Sequence, residues 1–330
     1  MKLRKLPLFA ILFVILIVTP IALNQFYNYQ LQAPSQETSP KRFVIKPGQP
    51  IVQIAQNLEE AGLVKNAFAF RLLVGQMGIG KNIQAGDFSL SPNLPARELA
   101  SQLTHGAIDI WITFPEGLRK EEMAEIIEAS LKTSQNEKYT FDKREFIKIA
   151  KEGFMFPDTY LIAKDATAQD VVDQLQATFN QKVDEKLLQK GANNNLTQQD
   201  VVTLASIIER EAKTNEERPI IAGILLNRIN AGIALQVDAT VQYAKGYDSA
   251  KDGWWPQVTT GDYKSQDSLY NTYLHTGLPP TPISNPGIES IRAAAQPQET
   301  DYIYYLHDTE GKIHYATTIE QHNENIQNYL

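Results

Sequence analysis

The N-terminal segment constrains this chain first. Residues 6–23 form an apolar run without one charged side chain, and Lys2, Arg4 and Lys5 precede it. A helix needs about 20 such residues to cross the hydrocarbon core of a bilayer. Phe26, Tyr27 and Tyr29 come next, where an interfacial aromatic belt would stand. Pro20 lies near the outer end of the run, where a kink costs little. Cationic residues ahead of the span place residues 1–5 in the cytoplasm and everything after it outside. A cleaved signal peptide is the rival reading. The length of the run, and the lack of a clean small-x-small cleavage pattern behind it, favour a retained anchor.

Behind the anchor the chain is globular. The 330 residues are 43% hydrophobic and 21% charged, enough for two domains behind a span. A net charge of −7 and no long basic run speak against a nucleic-acid partner. Cysteine is absent, which removes disulfides, thiol catalysis, Cys-based metal sites and a lipid-modified Cys together. None of the five His stands at metalloprotease spacing, so neither a metal nor a cofactor is expected.

The pattern predicts an α+β protein in four parts. Residues 1–29 are a cytoplasmic stub and transmembrane helix, and residues 30–41 a polar linker with Pro34 and Pro40. Residues 42–106 form a small α+β subdomain: a strand at 43–45, a helix stopping at Gly62, a second helix capped by Asn66, a strand at 85–90 and a helix at 95–104. Residues 107–330 form a larger α+β domain. Its strand at 108–114 precedes helices at 123–127, 142–150 and 168–188, a helix from Thr214 to Gly232, and a hairpin around Glu310-Gly311.

One helix of the larger domain carries the chemistry. Thr197 and Asp200 resemble a capping box, with Asp in place of Glu or Gln. Val201, Leu204, Ala205, Ile208 and Ala212 then recur on one face. At ~100° per residue, Glu209 lies about 80° from the centre of that stripe, beside Val202 and Ala205, while Arg210 points to solvent. Glu211 lies about 160° around from Glu209, so the two acids cannot pair closely on this helix. A carboxyl beside apolar side chains tends to keep its proton near neutral pH, as a general acid must. An ordinary boundary acid satisfied by a neighbouring Arg fits the same pattern.

Several ordered motifs resemble the YceG-like (MltG) family of endolytic murein lytic transglycosylases. They are residues 152–160, 204–211, 227–228, 235–243, 270–273 and 277–287, and the C-terminal stretch from His322-Asn323 to Tyr329-Leu330. The similarity spans nearly everything after the anchor. Thr281 stands where the family often has Gly or Ala, and Met155 where it has another apolar residue. The resemblance implies a LysM-like subdomain at 42–106 and a catalytic domain at 107–330, with Glu209 as the catalytic acid. It implies cleavage of the MurNAc-GlcNAc bond within glycan strands, leaving 1,6-anhydro-MurNAc ends and terminating strand growth. Peptidoglycan is then the substrate, inner-membrane lipid surrounds the anchor, and peptidoglycan synthases of elongation or division are partners.

Gln236, Asp238, Thr240, Tyr243, Asn271, Thr272 and Tyr273 sit in the matched motifs as candidate sugar-binding residues. Satisfied loop groups and core Tyr fit the same positions. Trp254 and Trp255 lie outside the best-matched motifs and read as packing. Two other classes of function compete. One is a non-catalytic peptidoglycan-binding module. The other is a lysozyme-like hydrolase with Asp238 or Glu211 as second carboxylate.

Overall fold

Phe43 and Ile45 are buried while Arg42 and Val44 are exposed, the period of a strand with one face on a core. The computed structural model describes residues 16, 18–104, 108–133, 141–251 and 253–330. The chain divides into two compact units. One comprises Met1–Ile112, Ser130–Tyr139 and Tyr160–Asp165; the other comprises Thr113–Ala129, Thr140–Thr159 and Ala166–Leu330. Helices and strands are mixed, as the sequence predicts.

The first unit contains α1 (Thr19–Gln30), β1 (Lys41–Ile45), α2 (Ile51–Glu60), α3 (Ala67–Met77), β2 (Gly86–Leu90), α4 (Ala96–Gln102) and most of β3 (Asp109–Thr113) and β4 (Thr159–Ala163). The strands form one sheet in the order β1-β2-β3-β4, with β2 antiparallel to both β1 and β3. Phe43 and Phe88 face each other across β1 and β2 and pack with Leu58, Phe70, Leu73 and Leu99. Asn66 caps α3 as expected, its side chain accepting from the Ala69 amide at 2.9 Å. Lys2, Arg4, Lys5 and most of the apolar run lie outside the described residues. Among the described residues no helix is long and apolar enough to cross a membrane.

The second unit holds most of α5 (Lys120–Thr133), then α6 (Lys143–Ile149), α7 (Ala168–Lys182), α8 (Glu185–Gln189), α9 (Gln198–Glu211), α10 (Glu217–Asn230), α11 (Asp238–Lys245), α12 (Asp262–Ser265) and α13 (Ile288–Ala295). The hairpin β5 (Tyr304–His307) and β6 (Ile313–Ala316) and the terminal α14 (Ile319–Tyr329) complete it. Its core gathers Val201, Leu204 and Ile208 of α9, Ile221 and Leu225 of α10, and Ile291 and Ala294 of α13. Burying an aliphatic side chain of this size contributes roughly 1.5–3 kcal/mol.

Two expectations need correction, and several elements were not expected. The helix expected over 168–188 is two helices, because Val183 turns extended and Asp184 caps α8 by accepting from the Lys186 amide. Thr214 does not cap α10; Glu217 reaches back instead and accepts from the amides of Lys213 (2.8 Å) and Thr214 (3.3 Å). The strand β4, with Tyr160 and Ile162 buried, and the helices α11, α13 and α14 were not expected.

Candidate active site

α9 begins with its capping box closed. Thr197 Oγ1 accepts from the Asp200 amide at 3.1 Å, and Asp200 Oδ2 accepts from the Thr197 amide at 2.9 Å. Every residue of 201–208 is buried, Thr203 and Ser206 included. The hydroxyls of those two donate to carbonyls one turn back. The helix is therefore enclosed on all sides rather than along one stripe, and Glu209 stands where it leaves the core.

Both oxygens of Glu209 are held. Oε1 accepts from Arg218 Nη2 at 2.9 Å, and Oε2 accepts from the Gly287 amide at 2.8 Å. The side chain is only 6% exposed. The apolar shelter expected around this acid is replaced by a guanidinium and a backbone donor. Arg218 is itself fixed: Nε donates to the buried Ser290 hydroxyl at 2.9 Å, and Nη1 donates to Asn215. Arg210 does not run free to solvent, because its guanidinium lies 3.9 Å above the Trp255 ring.

A second carboxyl joins this cluster. Glu116 precedes α5, and its Oε2 lies 3.9 Å from Arg218 Nη2. The Glu116 carboxyl lies over the bare Cα of Gly287, and a side chain begun there would make that carboxyl swing away. Burial, and then the charge of Glu209, push the Glu116 pKa above the usual carboxyl range, against the opposing pull of Arg218.

The wall beside Glu209 is residues 283–287. The Ile283 amide donates to Ser206 Oγ at 3.0 Å, and Ser284 Oγ donates to the Ser206 carbonyl at 3.1 Å. Asn285 is the hinge pin. Its Oδ1 accepts from the amides of Gly153 and Met155, both at 2.9 Å. Its Nδ2 donates to Glu152 Oε1 at 2.9 Å and to the Leu118 carbonyl at 3.1 Å. Gly153 sits at φ +87°, and a side chain there would strike Pro282 at 2.5 Å. Glu152 is buried and also accepts from the Lys120 amide at 3.0 Å and from Tyr243 OH at 3.3 Å. Burial foremost, and then the charge of Glu121, push its pKa up to about 8.

The second unit has two large clefts, and neither is lined by Glu209, Glu116, Arg218 or Gly287. One, of 640 Å³, is lined by Glu152, Phe154, Phe179, Gln199, Tyr243 and Tyr270. The other, of 730 Å³, is lined by Glu211, Gln236, Asp238, Tyr263, Tyr273 and Tyr305 among others. In the second, Tyr273 OH donates to Asp238 Oδ1 at 2.6 Å and its ring stacks on Tyr263 at 4.0 Å. Tyr305 OH donates to Glu211 Oε2 at 2.7 Å, and burial lifts the Glu211 pKa above the usual range. Glu209 and Glu211 thus engage different surroundings, as the helical angle requires.

The YceG-like family matches residues 43–328. This chain belongs to that family. It is 31% identical to an endolytic murein transglycosylase of Bacillus subtilis strain 168, over 87% of this chain and 84% of that protein. It is 26% identical to the endolytic murein transglycosylase of Streptococcus pneumoniae strain D39, over 92% of this chain and 62% of that protein. The chain therefore spans less than two thirds of the streptococcal relative's length. The crystal structure of a putative YceG-like protein from Listeria monocytogenes superposes with a TM-score of 0.56 at 26% identity, covering 87% of this chain and 98% of that one.

Within this YceG-like chain the candidate residues separate. Gln236, Asp238 and Tyr273 face the larger cleft, and Tyr243 faces the smaller. Gln236 sits at φ +56° with Oε1 accepting from Arg228 Nη2 at 2.8 Å. Thr240, Asn271 and Thr272 are buried and bond inward. Thr240 and Thr272 share a hydroxyl bond at 2.8 Å, and Asn271 Nδ2 donates to the carbonyls of Tyr263 and Gln266. They brace the loop that carries Tyr273. Trp254 and Trp255 are pinned to α5, their ring N–H groups donating to Glu125 and Glu122. Arg218, Glu116 and Asn285 were not expected in the cluster. Glu116 follows the strand expected at 108–114, and Asn285 and Gly287 lie in the matched stretch 277–287, but each is brought to Glu209 only by tertiary pairing.

Proposed function

We propose that this YceG-like chain is a membrane-anchored peptidoglycan lytic transglycosylase that cuts within glycan strands, with Glu209 as its acid. Glu209 itself carries the reading, a nearly buried carboxyl with both oxygens oriented, in a chain whose relatives bear that enzyme's name.

The chemistry needs only one carboxyl. Glu209 delivers a proton to the oxygen linking N-acetylmuramic acid to N-acetylglucosamine, and the C1–O bond breaks. The carboxylate that remains is met by Arg218 and the Gly287 amide, fixed donors that stabilise the charge formed as the proton leaves. The muramic C6 hydroxyl closes on C1 and yields its proton to that carboxylate. No water is consumed, and the product is a 1,6-anhydro end. The tyrosine faces and amide groups of the two clefts suit the apolar faces and N-acetyl groups of a sugar chain. Anchoring by residues 6–23, a LysM-like hold on glycan by the first unit, and a role in ending strand growth beside the synthases belong to the same proposal.

A second reading has a specific observation behind it. Glu211, raised by burial, shares the tyrosine cleft with Asp238, as a two-carboxylate hydrolase would require. Mass analysis of glycan ends after incubation with the protein separates the two. Wild type should leave anhydro ends, and Glu209→Gln should lose cleavage by roughly 10² to 10⁴-fold while still binding glycan. Glu211→Gln should be far milder. Reducing ends, with activity lost in Glu211→Gln instead, would overturn the proposal in favour of the hydrolase.

A further inference from the structure

A smaller cleft of the second unit opens beside the turn that touches Glu209. It measures 420 Å³, and Leu118, Glu122, Glu125, Ile126, Tyr247 and Trp254 are among its lining residues. Leu118 follows Gly117, and a side chain begun on Gly117 would meet Glu209 Cγ at 3.6 Å and Arg210 Nη1 at 3.5 Å. Arg210 in turn covers the Trp255 ring at 3.9 Å. The cleft also holds an aromatic corner that is fixed in advance. The Tyr247 and Trp254 rings lie 5.1 Å apart at 60° to each other. Trp254 Nε1 donates to Glu125 Oε1 at 3.1 Å, and the Arg119 guanidinium lies 4.9 Å from the Trp254 ring. Tyr247 is nevertheless 44% exposed. Glu125 Oε2 has no hydrogen-bond partner among the described residues.

We infer that Trp254 and Tyr247, with Glu125, hold one sugar ring of the glycan strand, at a position separate from the bond that Glu209 cuts. The inference rests on the reading of this chain as a glycan-cutting enzyme with Glu209 as its acid. A pyranose has an apolar C–H face rimmed by hydroxyls. That face packs on the aromatic corner while a hydroxyl or amide N–H donates to Glu125 Oε2. An apolar protein side chain in the same place would bring the carboxylates no donor. Two carboxylates and no cation of the described residues line the cleft. An uncharged N-acetylglucosamine ring therefore fits it better than a muramic ring with its acidic peptide. Because the rings are already pinned, little side-chain freedom is lost when a sugar settles on them. Trp254 and Tyr247 bind the strand and move no proton.

The test is binding of purified glycan strands to the full chain carrying Glu209→Gln, read by calorimetry and by tryptophan emission. Strand binding should shift the emission, and adding Trp254→Phe should remove most of that shift although Trp111 and Trp255 remain. A Trp254 that only packs would give no such signal. Trp254→Ala should weaken binding about tenfold, and Trp254→Phe, which keeps a ring, should recover most of the loss. With Glu209 intact, Trp254→Ala should raise KM about tenfold and change kcat little, because the contact is equal before and during bond breaking. Tyr247→Ala should repeat the loss in weaker form, and it carries the test if Trp254→Ala fails to fold. Unchanged Kd and KM in the folded variants, or a loss in kcat alone, overturn the sugar position and leave Glu209 as the acid. Strands bound at Trp254 but left uncut by the wild type overturn the reading beneath it instead.

Discussion

A carboxyl buried as deeply as Glu152 ties the stability of the fold to pH. Its pKa is pushed up to about 8 from an ordinary 4.5. The folded protein thus keeps a proton that the unfolded chain releases. The contribution is complete below about pH 4.5 and is lost as pH rises towards 8. Its size is on the order of a few kcal/mol. Glu152→Gln keeps the acceptor for Lys120 and Asn285 without the charge. Thermal unfolding should show the wild type weakening across that window and the variant changing much less. Parallel curves would mean that another group carries the dependence. Nothing local in Glu152-Gly153-Phe154 announces this burial. The partner that explains it, Asn285, lies 133 residues away, and sequence pattern reads neighbours far better than such pairs. At Glu209 the capped helix and an Arg partner for its boundary acid were legible, while the identity of Arg218 and the amide of Gly287 were not.

At the scale of elements, the legible features are those that neighbouring residues decide. The α9 cap, the Asn66 cap and the β5–β6 hairpin arise from short-range hydrogen bonding, and the fold forms all three. The misses are tertiary. The enclosure of α9 depends on α10 and α13 packing where spacing suggested solvent. β4 lies beside β3, a pairing of segments distant in sequence rather than a local feature. The cap of α9 can be tested apart from the chemistry. Thr197→Ala opens the capping box and should cost about 1 kcal/mol in urea unfolding. Glu209 lies twelve residues on, about 18 Å along the helix, so activity per folded molecule should hold. A drop in kcat equal to that of Glu209→Gln would show that α9 transmits the change to its far end.

For the whole molecule the outstanding question is which side of a membrane the second unit works on, because its proposed substrate lies outside the cytoplasm. The expectation rests on the sequence of residues 1–29. Three cations precede eighteen uncharged residues, and Phe26, Tyr27 and Tyr29 close the run. The end of the run and these aromatic residues lie in α1, where Ile21, Leu23, Phe26 and Tyr29 are exposed, side chains suited to lipid and its interface. Insertion with Lys2, Arg4 and Lys5 retained inside would deliver both units to the outer face. A reporter active only outside the cytoplasm, fused after Leu330, should be active. A reporter active only inside should be silent at the same junction. Replacing Lys2, Arg4 and Lys5 together by Glu should weaken that orientation, because the bias rests on the cations before the span. Cytoplasmic activity of the wild-type fusion would put the second unit out of reach of peptidoglycan, and the transglycosylase proposal would fall with the topology.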